Sequence, residues 1–105
     1  KFDAVFSANT AHIMRWPDVE AMFAGAGSML SRGGRFMLYG PFNYDNQYTS
    51  ESNARFDNWL KSRDPESGIR NFEDLDTLAQ QAGMFLKHDY GMPANNRILY
   101  WEKAS

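Results

Sequence analysis

Two polar side chains with chemical potential follow a short apolar run at the start of the chain. Residues 2–8 read as a strand, and Asn9 and His12 come soon after it. A neutral imidazole at a strand end is suited to act as a general base, because its ordinary pKa lies near neutrality. A second interpretation is open for both residues. Asn9 would be a turn former that bonds its own loop, and His12 would pack against Trp16 with both ring nitrogens satisfied.

Aromatic and amide side chains stand at two further strand ends. Pro41 and Phe42 follow a second predicted strand and would form the wall of a small-molecule pocket at the same edge of the sheet. Tyr39, at the end of that strand, is equally well explained as a core residue. Asn95 and Asn96 lie between the last two predicted strands, where a turn built from two amides needs no function to explain it.

Composition and charge exclude several kinds of site. The 105 residues carry a formal net charge of -2, so no basic stripe is present to bind nucleic acid. With no Cys and two His, neither a disulfide nor a metal site is predicted. The apolar runs are far shorter than the roughly 20 residues that a membrane span needs. We therefore expect a soluble, cytoplasmic protein without nucleic-acid or membrane partners. The opposite charges of Asp57 and Arg70 are predicted to form a structural pair under the helices.

The elements that must position these side chains begin with a strand–helix–strand unit. Pro17 suits the first position of a helix, and apolar residues share one face of the stretch 17–31. Gly33-Gly34 is predicted to end this helix in a left-handed conformation, and residues 35–39 then form the second strand. Such a tight connection makes the two strands parallel, with the helix as a right-handed crossover.

A long polar loop and a second helix follow. Residues 42–49 form a stretch too long for a simple connection, which favours a functional loop. Ser50 or Ser52 is predicted to cap the next helix, which ends before Pro65. Its apolar side is predicted to consist of Phe56, Trp59 and Leu60.

A third helix and two strands complete the chain. The helix opens at Asn71 and is closed by Gly83. The strands cover residues 85–90 and 97–102, and the short connection between them requires an antiparallel pair.

Five short motifs in this order resemble one known family. They are Asn9-Thr10-Ala11-His12-Ile13, Tyr39-Gly40-Pro41-Phe42, Ser52-Asn53 with Phe56-Asp57, Gly68-Ile69-Arg70 and Met92-Pro93-Ala94-Asn95-Asn96. The order of the elements resembles the second half of the class I S-adenosylmethionine-dependent methyltransferase fold. The wording of the motifs is similar to the methyltransferase-like 26 family, a family of unknown function. The resemblance covers essentially the whole chain.

The resemblance implies an α/β fold, the C-terminal half of a Rossmann-like methyltransferase sheet, with residues 1–105 as a single partial domain. In methyltransferases of this type, a glycine-rich turn wraps the cofactor and an acidic residue holds its ribose, and both would precede Lys1. Gly25-Ala26-Gly27 falls inside the predicted helix and is better explained by close helix packing. We therefore expect a piece of a longer protein that binds S-adenosylmethionine weakly or not at all by itself and is inactive alone.

The same resemblance implies roles for the residues at the strand ends. The cofactor would lie against Ser7, Ala8 and Asn9, and the reacting methyl would face Asn9 and His12 as catalytic residues. The acceptor would be bounded by substrate-binding residues from two loops, namely Pro41, Phe42, Asn95 and Asn96.

Two functions follow as hypotheses for the longer protein. The first is an S-adenosylmethionine-dependent methyltransferase acting on a small-molecule acceptor. The alternative is a methyltransferase-like binding or scaffold protein without catalysis. We also expect self-association of the chain through the first strand, because a bare parallel edge invites pairing with a second copy.

Overall fold

The computed structural model describes residues 2–104. Its helices and strands, in chain order, are β1 (Phe2–Ala8), α1 (Trp16–Met29), β2 (Leu30–Gly40), α2 (Glu51–Arg63), α3 (Phe72–Gln81), β3 (Met84–Met92) and β4 (Asn96–Lys103). A 3-10 turn over Pro93–Asn95 connects β3 to β4. Within residues 2–104, no helix has the length and apolar character needed to cross a membrane.

The strands form a sheet in the order β1-β2-β4-β3. β1 and β2 are parallel and are joined through α1, whereas β4 runs antiparallel to both β2 and β3. The chain thus places β3 at the far edge before β4 enters between β3 and β2. This arrangement confirms the predicted α/β class, with two parallel strands around a crossover helix and a closing antiparallel pair.

The hydrophobic core lies between one face of the sheet and the helices α1 and α3. Trp101 on β4 is its largest fully buried side chain, with its ring 5.2 Å from that of Phe23 and 5.9 Å from that of Phe36. Its indole Nε1 donates to Asp76 Oδ1 of α3 over 2.9 Å, which satisfies the one polar atom of the ring. Further core residues of the helices and strands are Val19, Ala26, Leu38, Leu75, Ala79, Met84 and Leu99.

The opposite face of the sheet is open within the described residues. The register aligns Phe6 with Met37, Met37 with Tyr100, and Tyr100 with His88, so these side chains share this face. Phe6 on β1 keeps 59% of its surface exposed. We call this the open face, and its large exposed members are Phe2, Phe6, Phe85 and Tyr90.

The first crossover differs from the prediction at its exit. α1 begins at Trp16, one residue before the predicted start at Pro17, and it ends at Met29, two residues before the predicted end. Leu30 is already extended (φ -82°, ψ 138°) and starts β2, so the predicted glycine cap at Gly33-Gly34 is wrong. Gly33 instead has φ 81° inside an irregular part of the β1–β2 pairing, where Phe2 aligns with Leu30 but Ala4 with Arg35.

The second helix begins where the sequence predicts but buries a different side. Ser50 is the N-cap of α2, and its hydroxyl accepts a hydrogen bond from the Asn53 backbone N–H over 3.0 Å. The buried residues of α2 are Asn53, Asp57 and Leu60. Trp59 is 53% exposed, so the prediction that it joins a buried apolar side is wrong.

The closing elements agree with the predicted order. Asn71 is the N-cap of α3, and Gly83 follows the helix with φ 79°, the left-handed conformation expected of a terminating glycine. β3 and β4 are longer than predicted at both ends, and they pair antiparallel as expected.

Candidate functional site

The candidate site lies at the carboxyl ends of the parallel strands β1 and β2. Ala8 aligns with Tyr39 at the last pair of the register, and the Asn9 backbone N–H donates to the Tyr39 carbonyl over 2.9 Å. Asn9 has φ 56°, a left-handed conformation that asparagine tolerates better than most residues. The chain therefore turns sharply at Asn9 and runs across the ends of the strands towards His12.

A cavity of about 370 Å³ opens at this edge of the sheet. Its walls come from three parts of the chain: the strand ends, the first two turns of α2 and the β3–β4 connection. The lining residues are Asn9, His12, Pro41, Ser52, Asn53, Phe56, Ala94 and Asn96. The volume lies at the lower end of the range typical of small-molecule sites, and the lining combines an imidazole, amides and an aromatic ring.

His12 is a buried lining residue of the cavity. Its side chain lies edge-on to Phe56 with ring centroids 5.4 Å apart, and the residue is 6% exposed. A methyl group added to Gly40 would lie 3.7 Å from His12 Nδ1, so the β2 backbone also packs against the imidazole. Within residues 2–104, no hydrogen bond to a protein group involves the ring nitrogens.

The electrostatic surroundings keep His12 neutral. Burial lowers its pKa from the ordinary value of 6.5, because the charged form loses hydration, and the nearby Arg70 guanidinium lowers it further by repulsion. A neutral imidazole that lines a small cavity can accept a proton from a bound molecule.

The β3–β4 connection is fixed so that Asn96 reaches the cavity. Arg97 Nε donates to Asp89 Oδ1 over 2.5 Å, and the Tyr44 hydroxyl donates to Asp89 Oδ2 over 2.6 Å. Burial and the Asp89 carboxylate raise the pKa of Tyr44, so the phenol stays protonated and keeps donating. This network holds the hairpin above the strand ends.

The structure brings together four of the eight site residues that the sequence singled out. Asn9, His12, Pro41 and Asn96 line the same cavity. Asn95 lies on an adjoining cavity of about 270 Å³, and its side-chain amide is 3.4 Å from the Ser52 hydroxyl.

Ser7 and Ala8 occupy the rim of β1, outside the cavity. The Ser7 hydroxyl bonds that of Thr10 over 2.7 Å, and the small, exposed Ala8 leaves the backbone beside it accessible. β1 is the outermost strand of the sheet in the described part of the chain.

Three predictions at the site require correction. Phe42 is 2% exposed and belongs to the hydrophobic core, so its side chain does not form a pocket wall. His12 packs against Phe56, whereas the Trp16 ring lies under the Arg70 guanidinium at 5.6 Å. The predicted ion pair of Asp57 with Arg70 is wrong.

The two charged residues have other partners. Asp57 pairs with Lys61 at 2.9 Å, one turn along the same helix. Arg70 is held by backbone carbonyl groups, because it donates to Ala11 O over 3.2 Å and to Glu66 O over 2.9 Å.

The α2 side of the cavity was not predicted as part of the site. Ser52, Asn53 and Phe56 line it, and Asn53 is a buried polar residue whose amide donates to Thr49 Oγ1 over 3.0 Å. Their presence in the motifs that carry the family resemblance could have identified them as candidates for the site. Their position over the strand ends depends on tertiary packing, which the spacing of apolar residues does not report.

Solved structures show where this architecture recurs. An O-methyltransferase family protein from Burkholderia thailandensis superposes with a TM-score of 0.83 at 14% identity, over 98% of this chain and 30% of that one. An O-methyltransferase family 2 protein from Planctomyces limnophilus, in complex with apigenin, gives a TM-score of 0.88 at 20% identity, over 97% of this chain and 30% of that one.

A third similar structure holds a relevant ligand. CalO1, a methyltransferase of calicheamicin biosynthesis in its SAH-bound form, gives a TM-score of 0.79 at 15% identity, over 97% of this chain and 30% of that one. The chain thus spans about 30% of the length of these structures. At such identities the likeness establishes the fold, which is the C-terminal part of the methyltransferase architecture.

The family is shown by a separate sequence comparison. The profile of one family matches residues 1–103, which is nearly the whole chain. The chain therefore belongs to the family described as "Protein of unknown function (DUF938)".

Proposed function

We propose that the protein containing this chain is an S-adenosylmethionine-dependent methyltransferase that methylates a hydroxyl group of a small molecule. The observation that carries the proposal is the buried, neutral His12 in a small cavity at the strand ends of a methyltransferase fold. Two of the similar solved structures are O-methyltransferase family proteins, and a third, a methyltransferase, holds SAH, the demethylated form of the cofactor. The motifs of the chain further support assigning its family to the methyltransferase-like 26 group.

Different residues of this chain would contact the cofactor and the acceptor. Ser7, Ala8 and Asn9 would lie against the nucleoside part of S-adenosylmethionine, because the accessible end of β1 presents backbone groups there. When bound, the cofactor supplies an electrophilic methyl group on a sulfonium. Asn9 and His12 would face that methyl from the cavity.

Acceptor chemistry would depend on His12. The imidazole would accept the hydroxyl proton of the acceptor, whose oxygen would take up the methyl group that the cofactor supplies. Pro41 and Phe56 exclude water from the acceptor, and the amides of Asn95 and Asn96 orient its far end. Positioning and proton transfer are the main contributions that a protein makes to a displacement of this kind.

The 105-residue chain would not catalyse the reaction alone. It spans about 30% of the methyltransferase structures with which it aligns. We propose that the remainder of the protein supplies the glycine-rich turn and the acidic residue that complete the cofactor site.

Full-length protein tests the proposal in two stages. Calorimetry with S-adenosylmethionine and SAH should show binding in the micromolar range, and no binding heat at millimolar cofactor would refute the proposal. Transfer of an isotope-labelled methyl group to a panel of phenols and alcohols then identifies the acceptor class. Cofactor binding without transfer to any acceptor would favour the non-catalytic alternative.

The role of His12 is tested with a matched pair of variants. His12→Gln should lower kcat by about 10²- to 10⁴-fold while cofactor affinity stays unchanged. His88→Gln replaces the other histidine, which lies on the open face away from the cavity, and should leave kcat unchanged. Equal kcat values for the two variants would exclude His12 as the base.

A further inference from the structure

One segment, residues 66–70, forms hydrogen bonds with the backbone of the loop that carries His12. The Gly68 backbone N–H donates to the carbonyl oxygen of His12 over 2.9 Å. Arg70 Nε donates to Ala11 O over 3.2 Å, and Arg70 Nη2 donates to Met14 O. Carbonyl groups before, at and after the imidazole-bearing residue are thus bonded to one short stretch of chain.

This segment is itself anchored to α2 through a buried carboxylate. Asp57 is 1% exposed, and its Oδ1 accepts from the Ile69 backbone N–H over 2.8 Å. Its Oδ2 accepts from the Tyr48 hydroxyl over 2.5 Å and from Lys61 Nζ over 2.9 Å. The carboxylate therefore fixes the residue that lies between the two donors Gly68 and Arg70.

Gly68 has to be glycine in this arrangement. Its φ of 149° is one that other residues rarely adopt, and a Cβ there would lie 2.9 Å from Lys61 Cε and 3.0 Å from Asp57 Oδ1. The backbone of the segment can approach His12 on one side and the Asp57–Lys61 pair on the other only because position 68 has no side chain.

Within the described residues Arg70 forms no ion pair, although the charge of the Asp57 carboxylate acts on it. Nearby charges are already paired, Asp57 with Lys61 at 2.9 Å and Glu66 with Arg15 at 3.1 Å. The guanidinium instead bonds three carbonyl oxygens and lies over the Trp16 ring. Of the charged groups around the His12 loop, this cation is the one whose field acts on the imidazole.

We propose that Arg70 is a positioning residue for His12: it holds the His12 loop through the carbonyl groups of Ala11 and Met14 and places its own positive charge near the imidazole. The inference rests on the proposed role of His12 as a proton acceptor. It assigns a function to the motif Gly68-Ile69-Arg70, which lies away from the cavity and contributes no lining residue.

Titration of the His12 imidazole by NMR tests the proposal without depending on methyl transfer. The His12 signal is identified by its loss in His12→Gln, and its titration midpoint is measured in the native protein, in Arg70→Gln and in Arg63→Gln. Arg63 is the matched control, because it lies over the Trp59 ring at the exposed end of α2. We expect Arg70→Gln to move the midpoint up towards 6.5, the ordinary value, and Arg63→Gln to leave it in place.

A second variant separates charge from geometry and remains informative if Arg70→Gln does not fold. Arg70→Lys keeps the cation but lacks the planar fork that bonds the carbonyl groups. Its His12 midpoint should stay low, while hydrogen exchange at the Gly68 amide should rise by about 10-fold as the loop loosens. An unchanged midpoint in folded Arg70→Gln, or unchanged Gly68 exchange in Arg70→Lys, would overturn the proposal.

Failure of the inference is distinguishable from failure of the proposed function. Both readouts report on the His12 loop whether or not a methyl group is transferred. A shifted midpoint in a protein that binds no cofactor would support the positioning role and refute the methyltransferase proposal.

Discussion

Gly27 of α1 lies directly against Ala82, the residue that ends α3. A Cβ at position 27 would lie 2.6 Å from the carbonyl oxygen of Ala82 and 2.7 Å from its Cβ. The two helices that cover the core therefore approach each other through a glycine. Close helix packing, predicted for Gly25-Ala26-Gly27, is confirmed for Gly27 and is wrong for Gly25, where a Cβ would meet nothing within 4 Å.

Gly27→Ala should destabilise the protein by about 1–3 kcal/mol, because the obstructing atoms belong to backbone and a short side chain that cannot rotate away. Gly25→Ala in the same helix is the matched control, since a Cβ there meets nothing within 4 Å. The control should raise stability by about 0.5–1 kcal/mol through helix propensity. Urea unfolding measures both, and equal effects would contradict the close approach.

Asp57→Ala should lower the free energy of unfolding by about 2–4 kcal/mol, because the Ile69 N–H, the Tyr48 hydroxyl and Lys61 lose one shared buried acceptor. Glu51→Ala removes the carboxylate of an exposed pair with Arg55 at 4.0 Å on the same helix. Chemical denaturation should detect no change in that control. A small effect at Asp57 would mean that the segment 66–70 is held by other contacts.

Stability should fall as the pH drops below neutrality, and His12 should account for part of the change. The pKa of His12 in the folded protein is below the ordinary 6.5, so the unfolded chain binds the proton more readily. Unfolding is therefore coupled to uptake of a proton in the pH range between 6.5 and the folded pKa. The stabilisation is therefore present above pH 6.5 and is lost towards the folded pKa. Thermal melts from pH 7.5 to 5 should show a shallower slope in His12→Gln, and an unchanged slope would argue against a buried neutral imidazole.

Asp57 should control a second, more acidic phase. Burial opposes its ionisation, but hydrogen bonds from Tyr48, Lys61 and the Ile69 N–H outweigh that cost and hold its pKa below 3.8. Its contribution is present above pH 3.8 and is lost as pH falls through the folded pKa. Asp57→Asn should therefore have a lower free energy of unfolding at neutral pH, and this free energy should fall less steeply with acid than that of the native protein. Parallel curves of free energy against pH for the two proteins would exclude this assignment.

The 105-residue chain should self-associate through β1 and the open face. β1 pairs on one side only among the described residues, and Phe6 leaves 59% of its surface exposed next to that edge. Sedimentation should show a dimer or larger species at high micromolar concentration. Phe6→Lys should weaken the association by about 10-fold or more. Ile13→Lys, at a residue 58% exposed but away from the open face, should not, and purely monomeric native chain would refute the prediction.

The sequence predicts the elements well where local rules decide them. Pro17, Ser50 and Gly83 mark helix ends through their backbone preferences and capping chemistry, and the structure uses each in the predicted way. Gly33 was misassigned because its role depends on how β2 aligns with β1. That register is a long-range property, and a local pattern cannot distinguish a cap from a bulge.

At the site, the rule that parallel strands end at the same edge correctly groups Asn9, His12 and Pro41. Phe42 departs from it because the chain turns its side chain inward immediately after the buried Pro41. The cavity-lining positions of Ser52 and Phe56 were not predicted, for a different reason. The spacing of apolar residues in α2 indicates which side of the helix is buried, but it does not indicate which end of the sheet the helix covers.

The position of β4 between β2 and β3 has a consequence for biosynthesis. Ribosomes deliver the chain from its N-terminus, yet the strand made last of the four in residues 2–104 occupies the interior of the sheet. Until Asn96–Lys103 has emerged, β2 and β3 have no common neighbour, and Phe23 and Phe36 lack the Trp101 ring that packs against both of them. A nascent chain halted before this segment would have its helices but an incomplete sheet, with unpaired strand edges and exposed apolar side chains. We expect such an intermediate to bind chaperones.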